Sequence, residues 1–214
     1  MKSCFRHFLS RLHRSRALRL ELSAVLGLVA AVAVSSVAAA AEQRALASKL
    51  IRFHVVAASD SETDQAQKLL VRDRLLSAIA QMELSDDRDE AAAVLQCRLD
   101  DLRVCAETVL AEAGAPQPVT VTLARERFPT REYDHFSLPA GSYLSLRVVI
   151  GDGVGHNWWC VLFPPLCTSD AALRICAEDG YLTGGEYRLM TGNAPDVVYR
   201  FRLLELWNRL IDLF

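Results

Sequence analysis

The sequence is short of the residues that build metal centres and nucleic-acid faces. It has only six cysteines in 214 residues, with no Cys-x-x-Cys pair and no Cys/His cluster at zinc spacing. A structural zinc site needs such closely paired ligands, so no metal is expected, and no other cofactor is expected either. Basic charge is also scarce once the N-terminus is set aside. Residues 1–41 hold Lys2, Arg6, Arg11, Arg14, Arg16 and Arg19 against Glu21, which leaves 18 basic and 25 acidic residues in the remainder, near −7. Binding phosphates needs a basic face, so the composition excludes nucleic acid as a partner. There is no internal repeat and no low-complexity run beyond the N-terminal segment.

What is present begins with that segment. A basic stretch up to Arg19 precedes an apolar run from Leu22 to Ala41, interrupted only by small residues such as Ser23, Gly27, Ser35 and Ser36. This is the pattern of an export signal. Its length also suffices for a signal anchor, since about 20 apolar residues cross a bilayer core as a helix. The Ala-rich end at Val37 to Ala41 offers the small residues that a signal peptidase reads. The arginines are never adjacent, which disfavours a twin-arginine route. The expected organisation is therefore a signal peptide or signal anchor over 1–41 and one exported domain over 42–214, long enough for its own core.

Within that domain, Leu50 to Ser59 reads as a strand. Ser61 is then a candidate N-cap, with Glu62 and Asp64 in the first turn of a helix whose apolar positions include Leu69, Leu70, Leu76 and Ile79. Asp86-Asp87-Arg88-Asp89 opens a second helix, expected to run unbroken to about Ala113 and to end at Gly114. Three strand signals follow, at Val119–Leu123, Tyr143–Ile150 and Trp159–Phe163, with Gly151 to Gly155 as a turn between the last two. The order predicts an α+β domain: a first strand, two helices on one face, and a three-strand antiparallel meander. A Gly-rich stretch is expected after Cys176, then a short strand at Val197–Phe201 and a terminal helix at Leu203–Leu213. That helix either packs on the sheet or lies on a membrane or partner.

The densest chemistry lies in Asn157-Trp158-Trp159-Cys160-Val161-Leu162-Phe163-Pro164-Pro165-Leu166-Cys167, where two of three tryptophans and two of six cysteines fall within eleven residues. Cys160 admits two readings. As a thiol nucleophile it would use His54 or His156 as base, in an envelope hydrolase. As half of a disulfide with Cys167 it would close an eight-residue loop, constraining the unfolded chain by about 2.5 kcal/mol. On a strand, Trp158 and Trp159 point to opposite faces, so one can be core while the other, like Phe163, serves a partner. His54, Asp60, Lys68 and Arg72 crowd the first strand-to-helix junction, either as capping and a solvated helix face or as a partner-binding edge. In a catalytic version His54 and Asp60 meet as an acid/base pair. Cys97 and Cys105 lie about 12 Å apart along one helix, too far to pair. Each is either a buried free thiol or a partner for Cys176. An odd number of cysteines beyond Cys4 leaves at least one thiol free or paired between molecules.

Taken in order, several of these stretches resemble the stage II sporulation protein R family. They are Ile51-Arg52-Phe53-His54-Val55-Val56-Ala57-Ala58-Ser59-Asp60-Ser61, Asp64 through Asp73, Phe128-Pro129-Thr130-Arg131, Leu138-Pro139-Ala140-Gly141, and Arg147-Val148-Val149-Ile150-Gly151 leading into the Trp158–Cys167 segment. The resemblance covers about 51–170. It implies a non-enzymatic sporulation signal, made in the forespore and exported into the space facing the mother cell. There it would activate a membrane-embedded aspartic protease that processes pro-sigma-E. The long Arg-rich leader and Cys97, Cys105 and Cys176 depart from the family's pattern.

Overall fold

The computed structural model describes residues 16–133, 136–166 and 170–192. Among the described residues, those up to Glu42 and those from Gln43 belong to separate units. Helix α1 (Arg16–Lys49) begins in the first. Leu20, Leu26, Leu28, Val34 and Val37 are exposed there, and the stretch from Arg19 is long and apolar enough to cross a membrane. That is compatible with either a signal sequence or a membrane anchor.

The second unit is built around a four-stranded mixed sheet. Its strands are β1 (Ile51–Val56), β2 (Val119–Phe128), β5 (Gly141–Ile150) and β6 (Asn157–Phe163), in the order β2-β5-β1-β6. β1 runs parallel to β5 and antiparallel to β6, while β2 and β5 are antiparallel. A small hairpin, β3 (Arg131–Glu132) with β4 (Ser137–Leu138), stands apart from the main sheet.

One face is covered by α2 (Glu62–Ala80), α3 (Arg88–Cys97) and α4 (Leu99–Glu112). Val71, Leu75 and Ile79 from α2 join Ala91 and Leu95 from α3 and Leu102, Ala106 and Leu110 from α4. They pack on Ile51, Phe53, Val55, Leu146, Val148 and Cys160 of the sheet. Ser61 Oγ accepts from Asp64 N as the expected N-cap, Asp87 of the acidic run that opens the second helix caps α3, and Gly114 takes a positive φ of 73° just beyond α4. The opposite face carries a second cluster. Leu46 and Leu50 meet Phe128, Leu138, Tyr143 and Val161 there, together with Leu173 from α5 (Asp170–Glu178) and Met190 from α6 (Gly184–Thr191). Lys49 Nζ donates to Glu186 Oε2 at 2.7 Å and to the Tyr181 carbonyl at 2.9 Å, tying the end of α1 to α6.

The α+β class is as expected, and four details differ. β1 separates β5 from β6, so the three later strands are not a simple meander: an apolar strand as hydrophobic as β1 is best placed where both its faces are covered. Helices contribute to both faces rather than one. The second predicted helix is two, because Arg98 leaves helical geometry (φ −108°, ψ 9°) between α3 and α4. The stretch after Cys176 is not merely a Gly-rich loop. Thr183 and Glu186 form a reciprocal capping box that starts α6 despite Gly184 and Gly185. The terminal strand and helix, Val197–Phe201 and Leu203–Leu213, lie outside the described residues.

The β5–β6 turn closes tightly over the end of β1. Gly155 N donates to the Ala57 carbonyl at 3.0 Å and Val154 N to the Ala58 carbonyl at 3.3 Å. A Cβ on Gly155 would overlap the Ser59 carbonyl, whereas a Cβ on Gly184, whose φ is not positive, meets nothing within 4 Å. Gly155→Ala is expected to lower the unfolding free energy by about 1–3 kcal/mol, more than Gly184→Ala, in urea titrations of the two variants. Equal losses would refute the close-approach argument.

Candidate functional site

Alternation along β1 sends Arg52 and His54 to the sheet face opposite α2–α4. Register brings Ser145 of β5 beside Arg52, and Arg147 of β5 and Trp159 of β6 beside His54. The His54 ring stacks on Trp159 with centroids 4.6 Å apart and planes 7° from parallel. Its Nε2 lies 2.8 Å from Glu126 Oε2, and Glu126 Oε1 lies 3.5 Å from Arg147 Nη1. Burial lowers the His54 pKa. The hydrogen bond and charge of Glu126 oppose that shift, and the charge of Arg147 reinforces it. Arg52 is fully buried. Its guanidinium lies 4.5 Å from the Phe128 centroid and 5.2 Å from that of Tyr143, and Nη2 donates to Tyr133 Oη at 2.7 Å.

A second group of polar residues gathers where β1 runs into α2. Asp60 Oδ1 accepts from the His156 backbone N–H at 2.6 Å and faces the ring Nδ1 at 2.5 Å. Those bonds hold the Asp60 carboxyl below its ordinary value. Lys68 Nζ donates to the His156 carbonyl at 3.0 Å and to Gln65 Oε1 at 2.5 Å. Gln65 in turn donates to the Ser59 carbonyl, and Ser59 Oγ donates to Asp64. One helical turn on, the Arg72 guanidinium covers the Trp158 ring at 5.0 Å, while Trp158 meets Phe53 edge-on at 5.8 Å.

The structure thus divides the residues singled out from the sequence. Asp60 and Lys68 are joined through His156, and Arg72 and Trp158 meet each other one helical turn on. His54 and Trp159 share the opposite sheet face, so the two tryptophans do point apart. Phe163 sits at the far end of β6, buried and edge-on to Tyr181. His54 and Asp60 do not meet as an acid/base pair: each has another partner, Glu126 and His156, because His54 lies within β1 whereas Asp60 lies in the bend beyond its end. Cys160 is buried and disulfide-bonded, which removes the thiolate a nucleophile needs; Cys167 lies outside the described residues. Cys97, Cys105 and Cys176 are free thiols. Cys97 and Cys105 are free as one alternative had it but not buried, Cys97 being exposed and Cys105 half-buried, and Cys176 is half-buried as well. Cys97 and Cys105 also belong to different helices, α3 and α4.

Arg52, Glu126, Arg131, Tyr133 and Ser145 escaped the sequence reading. The available signal was polar residues at alternate positions of an apolar strand, Arg52 and His54 between Ile51, Phe53 and Val55, which marks a polar cluster on the second sheet face. Among the described residues no group of three or more His, Cys, Asp and Glu could hold a metal ion.

A family model described as Stage II sporulation protein R matches residues 47–173. The chain is 36% identical over 121 residues to Stage II sporulation protein R of Bacillus subtilis (strain 168), which covers 56% of this chain and 54% of that protein. The chain therefore spans about half the length of the curated relative it matches. No solved structure matches.

Two outcomes follow from this geometry. A histidine whose pKa is lowered on folding binds fewer protons in the folded state than in the unfolded one. Its contribution to stability is complete above the ordinary value of 6.5 and is lost as pH falls from there towards the folded pKa. Urea unfolding at stepped pH between 7.5 and 5 (about one unit either side of the ordinary histidine value) should show a steeper acid loss in the wild type than in His54→Gln, which retains a donor for Glu126. Parallel curves would mean that His54 is not held neutral. With iodoacetamide, Cys97 should label first in the folded protein, Cys105 and Cys176 more slowly, and Cys160 only after reduction. Early labelling of Cys160, read by peptide mass, would overturn its disulfide assignment.

Proposed function

Because the chain belongs to the stage II sporulation protein R family, we propose that it is a sporulation signal, exported from the forespore, that activates the membrane-embedded aspartic protease processing pro-sigma-E in the mother cell. The observation that carries this reading is the family match over 47–173, which takes in the whole sheet and the corner between β1, α2 and β6. The apolar N-terminal helix, compatible with a signal sequence or anchor, supports export. On this reading the protein is a ligand and not an enzyme, and Cys160 pairs with Cys167 to brace the end of β6.

The surface best suited to the protease is the corner of Asp60, Lys68, His156, Arg72 and Trp158. Its hydrogen bonds fix the backbone, so little order remains to be imposed on binding. Tryptophan and arginine are also among the residues most enriched where interfaces are anchored. Exposed Leu69 and Val154 flank it.

Co-expression of the full chain with the protease and the sigma-E precursor tests both parts. The wild type should yield cleaved precursor. Asp60→Lys combined with Arg72→Glu should reduce cleavage by about tenfold or more, as loss of close charge complementarity does, while export and circular dichroism are preserved. Cys160→Ser with Cys167→Ser should lower stability but keep signalling wherever the domain folds. Absence of cleavage with wild type would sink the activator reading, and full cleavage with the corner variant would move the contact elsewhere. Loss of cleavage in a folded, exported Cys160→Ala variant would make that sulfur functional.

A further inference from the structure

Arg52 is buried at the centre of the sheet with no exposed surface, yet only one of its three nitrogens has a hydrogen-bond partner. Nη2 donates to Tyr133 Oη, whereas Nε and Nη1 are buried and unpaired. Among the described residues no carboxylate pairs with it. Taking a guanidinium out of water costs several kcal/mol unless its charge and its N–H groups are both met. The rings of Phe128, Tyr143 and Tyr133, at 4.5, 5.2 and 5.7 Å, compensate part of the charge. The rings meet the charge of the guanidinium, but its Nε and Nη1 donors have no hydrogen-bond partner among the described residues. Stacking does not satisfy those donors.

A second cation makes the imbalance greater. Arg131, on β3, lies over the Trp159 ring at 4.7 Å, and its Nε is likewise buried and unpaired. It is near enough for its charge to lower the Arg52 pKa, adding to the larger effect of burial. Ser145, which faces Arg52 across the β1–β5 register, has a buried and unpaired Oγ. The nearby carboxylate, Glu126, is engaged with His54 and Arg147. Three separate strands thus deliver four unspent polar atoms and two like charges into an aromatic enclosure, with no counter-ion among the described residues.

We propose that Arg52, Arg131 and Ser145 form a receptor for a carboxylate group. A carboxylate accepts at about four lone-pair positions, the number of unspent atoms here, and its two oxygens match the forked donors of a guanidinium. Among the described residues the enclosure has neither a helix N-terminus nor a glycine-rich loop, the backbone donors that phosphate sites use. Access is beside the β3–β4 hairpin, where Arg131 and Tyr133 are half-buried. The bound group neutralises the cluster and joins the hairpin to the sheet, so its binding is coupled to folding stability. A free organic acid and an acidic side chain of a polypeptide present the same chemistry. This assignment stands whether or not the protein activates a protease.

Thermal unfolding of the purified full chain at pH 7 tests it, with sodium acetate or the peptide acetyl-Ala-Glu-Ala-amide added against sodium chloride at equal ionic strength. A ligand that binds only the folded state raises the melting temperature with its concentration, and a rise of about 4 °C or more over chloride is expected at saturation. Arg131→Gln, on the half-buried hairpin, should abolish most of the rise while leaving the protein folded. Arg52→Met, which fills a similar volume without charge, should abolish it as well. Should Arg52→Met fail to fold, the Arg131→Gln comparison and the nitrogen-15 resonance of Arg52 Nε, which should move on acetate addition, decide the matter. Response to the peptide at far lower concentration than to acetate assigns a polypeptide side chain, and equal response assigns a small organic acid. No rise over chloride, the same rise in Arg131→Gln, or a larger rise with sodium phosphate overturns the proposal.

Discussion

β1 is held between β5 on one side and β6 on the other, and every residue from Ile51 to Val56 is buried. Its odd-numbered side chains, Ile51, Phe53 and Val55, close the core beneath α2–α4. Its even-numbered ones therefore have to be accommodated on the second face, and two of them are Arg52 and His54. A charged or polar side chain there cannot reach water, so the surrounding residues are chosen to receive it. Trp159 and Glu126 take up His54, and Phe128, Tyr133 and Tyr143 take up Arg52. The β3–β4 hairpin, with Tyr133 and Phe136 stacked at 4.6 Å, makes sense as the cover this face requires.

The same placement fixes the geometry of the exposed corner. Because β6 starts opposite the end of β1, with Asn157 beside Val56, the β5–β6 turn must fold back over Ala57 to Ser59. That sets His156 against Asp60 and Lys68, residues 96 and 88 positions away in sequence. Glycine at 155 is what permits the approach. The corner is therefore a consequence of strand order, and a meander without β1 inserted would not assemble it.

Much of this was legible from the sequence, and the reasons for the failures are specific. Capping by Ser61 and Asp87, the stop at Gly114 and the glycine turn after β5 are local devices that need no tertiary information. The opposite facing of Trp158 and Trp159 follows from strand periodicity. Strand order does not, because parallel pairing of β1 with β5 is decided by which strand is apolar enough for the centre, a comparison across the whole chain. The break at Arg98 has no glycine or proline to announce it, so helical spacing reads straight through. The capping box of Thr183 and Glu186 was readable, but Gly184 and Gly185 pointed the other way and masked it. Arg52 was hidden because a lone arginine in an apolar strand looks like an interruption until its neighbours across the sheet are known.

The two polar regions differ in how their hydrogen-bonding capacity is used, and this separates their roles. At the corner, Asp60, Lys68, Gln65, Ser59 and Asp64 spend their capacity on one another and on the backbone of the turn, so the surface presented outward is rigid and already satisfied. What it offers a partner is shape, the Arg72–Trp158 stack and flanking apolar side chains, which suits recognition of another protein. On the opposite face the arrangement is the reverse. Aromatic rings supply shape and exclude water, while Arg52, Arg131 and Ser145 hold polar atoms with no partner among the described residues. Buried polar networks stabilise a fold when complete and weaken it when partly filled. A fold that keeps the second network incomplete therefore ties its own stability to whatever completes it, whereas the first network leaves the corner's shape independent of any ligand.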